Sequence, residues 1–110
     1  MGGLVKGDVV VVPFPFSDLS RAKKRPALVL ATPDGDDVIL CQITSRLVSD
    51  RYAILISEDD FLSGSLRQES NVRPNRIFTA DASIIAYKAG HLNRMVMEKI
   101  TDRVIGILQS

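Results

Sequence analysis

The sequence predicts a mainly β fold of the α+β kind, a small barrel or strongly bent antiparallel sheet with a C-terminal helix. Three observations predict it. Short runs rich in Val, Ile, Leu and Phe recur along the chain, bounded by Gly, Pro and Asp clusters. Several of these runs are close enough to be joined as hairpins, which favours antiparallel pairing. Only the last stretch, from Asn93 onward, spaces its apolar residues by three and four. With 110 residues, 45% hydrophobic and 25% charged, the chain reads as one domain, 1–110, without internal repeat, linker or low-complexity tract.

Met1 to Lys6 reads as a short leader, and the regular pattern begins at Gly7-Asp8. Val9 to Phe16 is the first expected strand, with Phe14 and Phe16 on one face. Pro13 and Pro15 cannot donate to a ladder, so its second half is expected at a sheet edge or leaving the sheet. A polar connector with Ser17, Asp18, Ser20, Arg21, Lys23 and Lys24 leads to a second strand from Arg25 to Ala31. The turn signal Thr32 to Asp36 closes a hairpin onto a third strand, Val38 to Thr44. Tyr52 to Ile56 makes a fourth, and the run through Gly64 to Gln68 reads as loop pinned by Phe61 and Leu62. Asn71 to Ala80 is again strand, with Pro74 marking an edge or a bulge. Ala82 to Tyr87 reads as one helical turn broken at Lys88-Ala89-Gly90. Asn93 is then the N-cap of a helix whose apolar face is Val96, Met97, Ile100, Val104 and Leu108.

Composition removes several kinds of chemistry. One cysteine, Cys41, allows no internal disulfide, and its apolar run marks it as core rather than nucleophile. With a single histidine, His91, and no HExxH or CxxC spacing, no dedicated metal site is expected, and no cofactor. His91 reads as a packing or capping residue. No segment approaches the roughly 18 apolar residues that cross a bilayer, so a soluble cytoplasmic protein is expected, with no membrane partner. The net charge of +1 excludes nothing, because nucleic-acid binding depends on where charges lie.

Cationic residues are concentrated at Arg21, Lys23, Lys24 and Arg25, an arrangement that suits either phosphate binding or simple solvation of a loop. Pro26 forces Arg25 into extended backbone, which fixes where its side chain starts. Thr44-Ser45-Arg46 ends the third strand, and in an antiparallel hairpin that end lies beside Arg25. A guanidinium fork with two hydroxyls can hold a phosphate; a polar rim without function has the same spacing. Arg73 and Asn75 add donors if the later strand passes nearby.

The opening GDVVVVPFPFSD, the strand KRPALVL, the strand end QITSR, the stretch GSLRQESNVRPNRIFTAD and the closing GHLNRMVMEKI, in this order, resemble the MazF/PemK family of toxins from type II toxin–antitoxin systems. The resemblance covers most of the chain. It implies an SH3-like barrel with helical additions and a homodimer. It also implies a sequence-specific endoribonuclease that needs no metal, cuts single-stranded RNA and thereby inhibits translation and growth. In the family's usual reaction the ribose 2'-hydroxyl attacks the adjacent phosphate, leaving a cyclic phosphate and a 5'-hydroxyl. The resemblance implies Arg25 and Thr44 as catalytic residues. The RNA contacts expected are Arg21, Lys23, Lys24, Ser45, Arg46, Arg73 and Asn75. A cognate antitoxin with a disordered acidic segment is the expected protein partner. One branch of the family uses an arginine and an aspartate on the later strand with a histidine in the first loop. Arg73 matches that arginine, but Asn75 stands where the aspartate would be, and the first loop has no histidine. A non-catalytic toxin of the same architecture, acting on a protein such as a topoisomerase, is the alternative. A peptide-binding adaptor fits poorly, since the chain has no Trp and two Tyr.

Overall fold

The computed structural model describes residues 3–14, 23–46 and 48–110. Seven strands form one antiparallel sheet: β1 Asp8–Phe14, β2 Lys23–Ala31, β3 Asp37–Thr44, β4 Ile54–Ile56, β5 Phe61–Gly64, β6 Ser70–Asp81 and β7 Tyr87–Leu92. One helix, α1, spans Arg94–Gln109. The strand order is β4-β6-β3-β2-β1-β7-β5. A flat sheet of seven strands would be about 30 Å wide and, with one helix on it, about 20 Å thick. The observed extents of 32 × 32 × 30 Å therefore require the sheet to curl into a half-barrel, the strongly bent antiparallel sheet with a C-terminal helix that was expected.

The curl follows from sequence at identifiable places. Between β3 and β6 the register jumps: Cys41 pairs with Ile77, but Gln42 pairs with Arg73, so Pro74, Asn75 and Arg76 bulge out of β6. Pro74, which has no N–H to lose, is buried at this corner, and bulges of this kind bend and twist a strand. Of the two alternatives at Pro74 the bulge is the one realised, for β6 lies between β4 and β3. Smaller irregularities interrupt β1–β7 at Val9/Val10 and β2–β3 at Val29/Ala31.

Both faces of the central strands are buried. Val9, Leu28, Cys41, Ile43, Ile54, Ile56 and Val72 pack with Leu92 and with Val96, Met97 and Ile100 of α1. Val10, Val12, Ala27, Val29, Val38 and Leu40 form a second core on the other face, with Leu4, Phe78 and Ile85 against it. This is why Val9 to Val12 runs apolar without alternation. Beyond Val11 β1 pairs only with β2, so Pro13 sits where one side of the strand is free, as expected. The Asn93 side chain caps α1 by accepting from the Val96 N–H at 2.9 Å. Leu108, assigned to the helix's apolar face, is 74% exposed, since the buried part of that face ends at Ile100.

Two strands escaped the sequence pattern. β5 replaces an expected loop and pairs with β7, which replaces an expected break. Glycine makes this pairing possible: a Cβ on Gly90 would lie 2.6 Å from the Ser63 carbonyl oxygen and 2.8 Å from the Phe61 ring. Gly64, at φ +70°, meets the Ala89 carbonyl in the same way. Phe61 packs on the core, whereas Leu62 points out and is 71% exposed, since alternate residues of a strand face opposite ways. Tyr52 and Ala53, expected in β4, form a turn instead, held by Asp50. The facing of Phe14 and Phe16 and the polar connector from Ser17 to Arg21 lie outside the described residues.

The head of β1 holds a fully buried carboxylate. Asp8 Oδ1 lies 2.8 Å from His91 Nδ1 and 3.1 Å from Lys88 Nζ, and Oδ2 accepts from the Val5 N–H at 2.8 Å. Asp8 and His91 are direct partners in the β1–β7 ladder, so this cluster ties the N-terminal strand to the strand that leads into α1. Burial pushes the Asp8 carboxyl up, but the Val5 N–H, His91 and Lys88 outweigh it and leave the carboxyl below its ordinary 3.8. A lowered carboxylate stabilises the fold above its unfolded value and loses that contribution as pH falls through the folded one. Asp8→Asn should therefore lower stability by about 1–3 kcal/mol at pH 7, the range for breaking a buried charged hydrogen bond. The difference from wild type should shrink below about pH 4. Urea unfolding at pH 7 and pH 3.5 measures both.

Candidate functional site

The end of β3 gathers the polar residues singled out by sequence. Ala27 pairs with Gln42, which pairs in turn with Arg73, making one row across β2, β3 and β6. In the next row Thr44 pairs with Asn71 and Asn71 with Leu55. Continuing the β2–β3 register two residues past Ala27 sets Arg25, itself the partner of Val12, opposite Thr44. Paired residues share a face, so Arg25, Thr44, Asn71, Gln42 and Arg73 all stand on one side of the sheet. That side is turned away from α1, whose partners Leu28, Ile43 and Val72 occupy the alternate positions. The rows are about 7 Å apart and the strands about 5 Å, spacings that arginine side chains span easily.

Each residue has its own local setting. Thr44 Oγ1 accepts from the Arg46 N–H at 3.1 Å, which turns the chain at the strand end and leaves the hydroxyl proton free to donate. The Asn71 side chain donates to the Arg46 carbonyl at 3.3 Å and braces the same turn from β6. Ser45 and Arg46 are exposed, and Thr44 is half-buried. Arg25 is half-buried, and no carboxylate pairs with it among the described residues. Arg73 is committed: its Nη2 lies 2.8 Å from Asp50 Oδ2. Arg73 holds the Asp50 carboxyl below the usual carboxylate range, with help from the Tyr52 and Ala53 N–H groups.

Three placements differ from expectation. Lys23 and Lys24 are not loop residues: β2 begins at Lys23, where they pair with Phe14 and Pro13, and both are exposed. Arg25 is thus the third residue of its strand rather than the first, because β1 continues far enough to pair with it. Asn75 sits in the bulge, exposed, rather than in line with Arg73. Arg21 lies outside the described residues. The Asp8–His91–Lys88 cluster and the Asp50 anchor went unseen in the sequence, for each joins residues far apart in the chain. The only signal was a Gly-Asp pair heading an apolar strand. His91 also lines an open groove of about 630 Å³ between β7 and α1, with Lys6, Leu62, Arg94 and Met97, remote in register from Thr44.

A curled antiparallel half-barrel with one helix on a face and a donor-rich strand end on the other is the class defined so far. Over residues 5–108 the sequence matches the family model described as PemK-like, MazF-like toxin of type II toxin–antitoxin system. The chain belongs to that family. Solved structures of similar fold include MazE–MazF from Deinococcus radiodurans, with TM-score 0.78 and 17% identity over 99% of this chain and 98% of that one. An endoribonuclease in complex with its cognate antitoxin, from a mycobacterial species, has TM-score 0.76 and 16% identity over 97% and 96%. The Mycobacterium tuberculosis toxin MazF-mt6 has TM-score 0.68 and 18% identity over 91% and 93%. At these identities the likeness establishes the fold. No curated protein matches the sequence significantly. Among the described residues no helix is long and apolar enough to cross a membrane.

Cys41 bears on which chemistry the site can use. It is fully buried between Leu28 and Ile77 in register, and burial pushes its thiol up to about 12. Iodoacetamide at pH 8 should leave the native protein unmodified over the time in which the urea-unfolded chain is fully alkylated, as mass spectrometry will read.

Proposed function

We propose that the protein is a toxin-antitoxin system toxin acting as a sequence-specific endoribonuclease on single-stranded RNA, a single domain over residues 1–110 that works in the cytoplasm as a homodimer. Its cuts inhibit translation and growth. The observation that carries this reading is the register of β2, β3 and β6, which, continued two residues past the Ala27–Gln42 pair, puts Arg25 and Thr44 on one sheet face with Arg73 one row away. Family membership, together with structural neighbours described as endoribonucleases, supports the reaction class.

In this reading a phosphodiester lies across the strand ends. The 2'-hydroxyl oxygen attacks the adjacent phosphorus while its proton passes to water, and the bond from phosphorus to the 5'-oxygen breaks as that oxygen takes a proton from water. The products are a cyclic phosphate and a 5'-hydroxyl. Charge builds on the non-bridging oxygens, and the Arg25 guanidinium, which pairs with no carboxylate among the described residues, offers a planar fork of donors to them. Thr44, whose oxygen already accepts from the Arg46 N–H, donates its proton to the same phosphate. Arg25 stays protonated throughout, so its role is electrostatic. Lys23, Lys24, Ser45, Arg46, Arg73 and Asn75 contact the flanking backbone and set register on the strand. The attacking group belongs to the substrate, so no enzyme nucleophile is needed, and in this reading Arg25 and Thr44 supply the charge stabilisation that a metal would otherwise give. An antitoxin segment rich in carboxylates would inhibit by occupying these same cations.

Incubating the protein with a long single-stranded RNA in excess chelator and mapping the ends tests activity, metal use and sequence preference together. Arg25→Ala should slow single-turnover cleavage by on the order of a hundredfold or more while the fold survives. Thr44→Val should slow it by less, and Arg25→Lys should not restore the wild-type rate because the fork is lost. Wild-type cleavage by Arg25→Ala would remove the catalytic assignment. Toxicity in cells without cleavage of any RNA would favour a toxin that acts by binding a protein target.

A further inference from the structure

We infer that Asp50 is a positioning residue of the RNA-binding face, holding the Arg73 guanidinium where it meets the substrate backbone beside Thr44. The inference rests on the ribonuclease reading and adds to it a residue that does not touch RNA. Asp50 divides its two oxygens between two tasks. Oδ1 accepts from the Tyr52 and Ala53 N–H groups, at 2.8 and 2.9 Å, and so builds the turn ahead of β4. Oδ2 takes Arg73 Nη2 at 2.8 Å, 23 residues away in sequence.

The turn is itself anchored. From α1, Arg103 Nη1 donates to the Arg51 carbonyl at 3.2 Å and to the Tyr52 carbonyl at 3.1 Å. The helix therefore fixes the turn, the turn fixes the carboxylate, and the carboxylate fixes the guanidinium. Nothing else does so: Arg73 Nε is buried without a partner, and among the described residues Asp50 is the one polar group on this side chain. An arginine serving only stability would be expected to satisfy that donor, as buried polar groups do. Here the guanidinium is clamped at one nitrogen, and its side chain remains 19% exposed on the face that carries Thr44 and Asn71.

The sign of one measurement separates positioning from a bystander role. Neutralising an acidic group beside a polyanion-binding face strengthens binding if the group acts only through its charge. If Asp50 orients Arg73, neutralising it weakens binding. Asp50→Asn isolates this effect, because the amide oxygen can still accept from Tyr52 and Ala53 while the amide nitrogen turns a donor toward Arg73. The probe is a single-stranded oligoribonucleotide 2'-O-methylated throughout, which binds without being cut. We expect Asp50→Asn to weaken its binding by about tenfold and to lower the slope of log K against log salt by about 0.7, one phosphate contact on a single strand. In an Arg73→Ala background the same change should tighten binding, since only the charge term is left.

Asp50→Glu keeps the charge but displaces the carboxylate, and should weaken binding too; it serves should Asp50→Asn fail to fold. Unchanged or tighter binding by Asp50→Asn, or by Asp50→Glu in its place, overturns the inference. So does a loss of the same size in the Arg73→Ala background, which would mean that Asp50 serves the turn alone. Unmodified RNA of the same sequence, run in parallel, reports the ribonuclease reading separately. Wild-type protein that binds the methylated strand but cuts neither the unmodified strand nor the long RNA sinks that reading, and wild-type protein that neither binds nor cuts any of them sinks both.

Discussion

The register jump at Pro74, Asn75 and Arg76 decides how the sheet turns. β6 is the longest strand among those described, with 12 residues, and it pairs with β3 in two stretches, one from Asp37 to Cys41, the other from Gln42 to Thr44. Three residues bulge from β6 with none added on β3, so the two halves cannot lie straight, and the sheet turns there. Beyond the turn Val72 points into the helix-side core, which obliges Asn71 and Arg73 to point the other way. One proline-containing bulge thus decides both that the sheet curls and that two polar side chains arrive beside the end of β3.

What the bulge arranges, the head of β1 holds in place. Gly7, at φ +99°, adopts a backbone that L side chains rarely enter, and a Cβ there would lie 3.0 Å from the His91 ring. Its carbonyl accepts from the Leu92 N–H at 3.0 Å and its N–H donates to Val29 at 2.9 Å, so the residue joins β2, β1 and β7 at one point. Asp8 then buries its charge against His91 and Lys88. These long-range links matter in a small chain, where a domain near this size buries only about two thirds of its unfolded surface.

The fold was legible where its signals were local. Val9 to Val12, the turn at Pro33 to Asp36 and the three-and-four spacing after Asn93 each state their structure within a few residues, and β1, β3 and α1 lie where those signals put them, while β2 starts two residues early, at Lys23. β5 and β7 were not legible, because their glycines read as breaks. The reason for Gly64 and Gly90 is the close approach of one strand to another, which no short window of sequence contains. At the site, the nearness of Arg25 to Thr44 follows from a hairpin and could be inferred. Arg73 needed the bulge to reach the same face, and Asp50 needed a turn 23 residues upstream of it. Family likeness filled part of that gap, since it names positions without needing to know what brings them together.

A formal net charge of +1 conceals a strong division along β3. At its start stand Asp34, Asp36 and Asp37, all exposed, with Asp81 opposite Asp37. Around its end stand Arg46, Arg73 and, through β2, Lys23, Lys24 and Arg25. Eight residues of strand set the two ends about 25 Å apart, roughly three Debye lengths at physiological salt. Charges that distant scarcely weaken one another's local field in water. A polyanion approaching the basic end meets that end's cations and Asp50, whose charge is already spent on Arg73 and two backbone N–H groups. The acidic end repels a polyanion at its own location, so on the ribonuclease reading proposed above a nearly neutral chain orients an RNA strand toward one rim of the sheet.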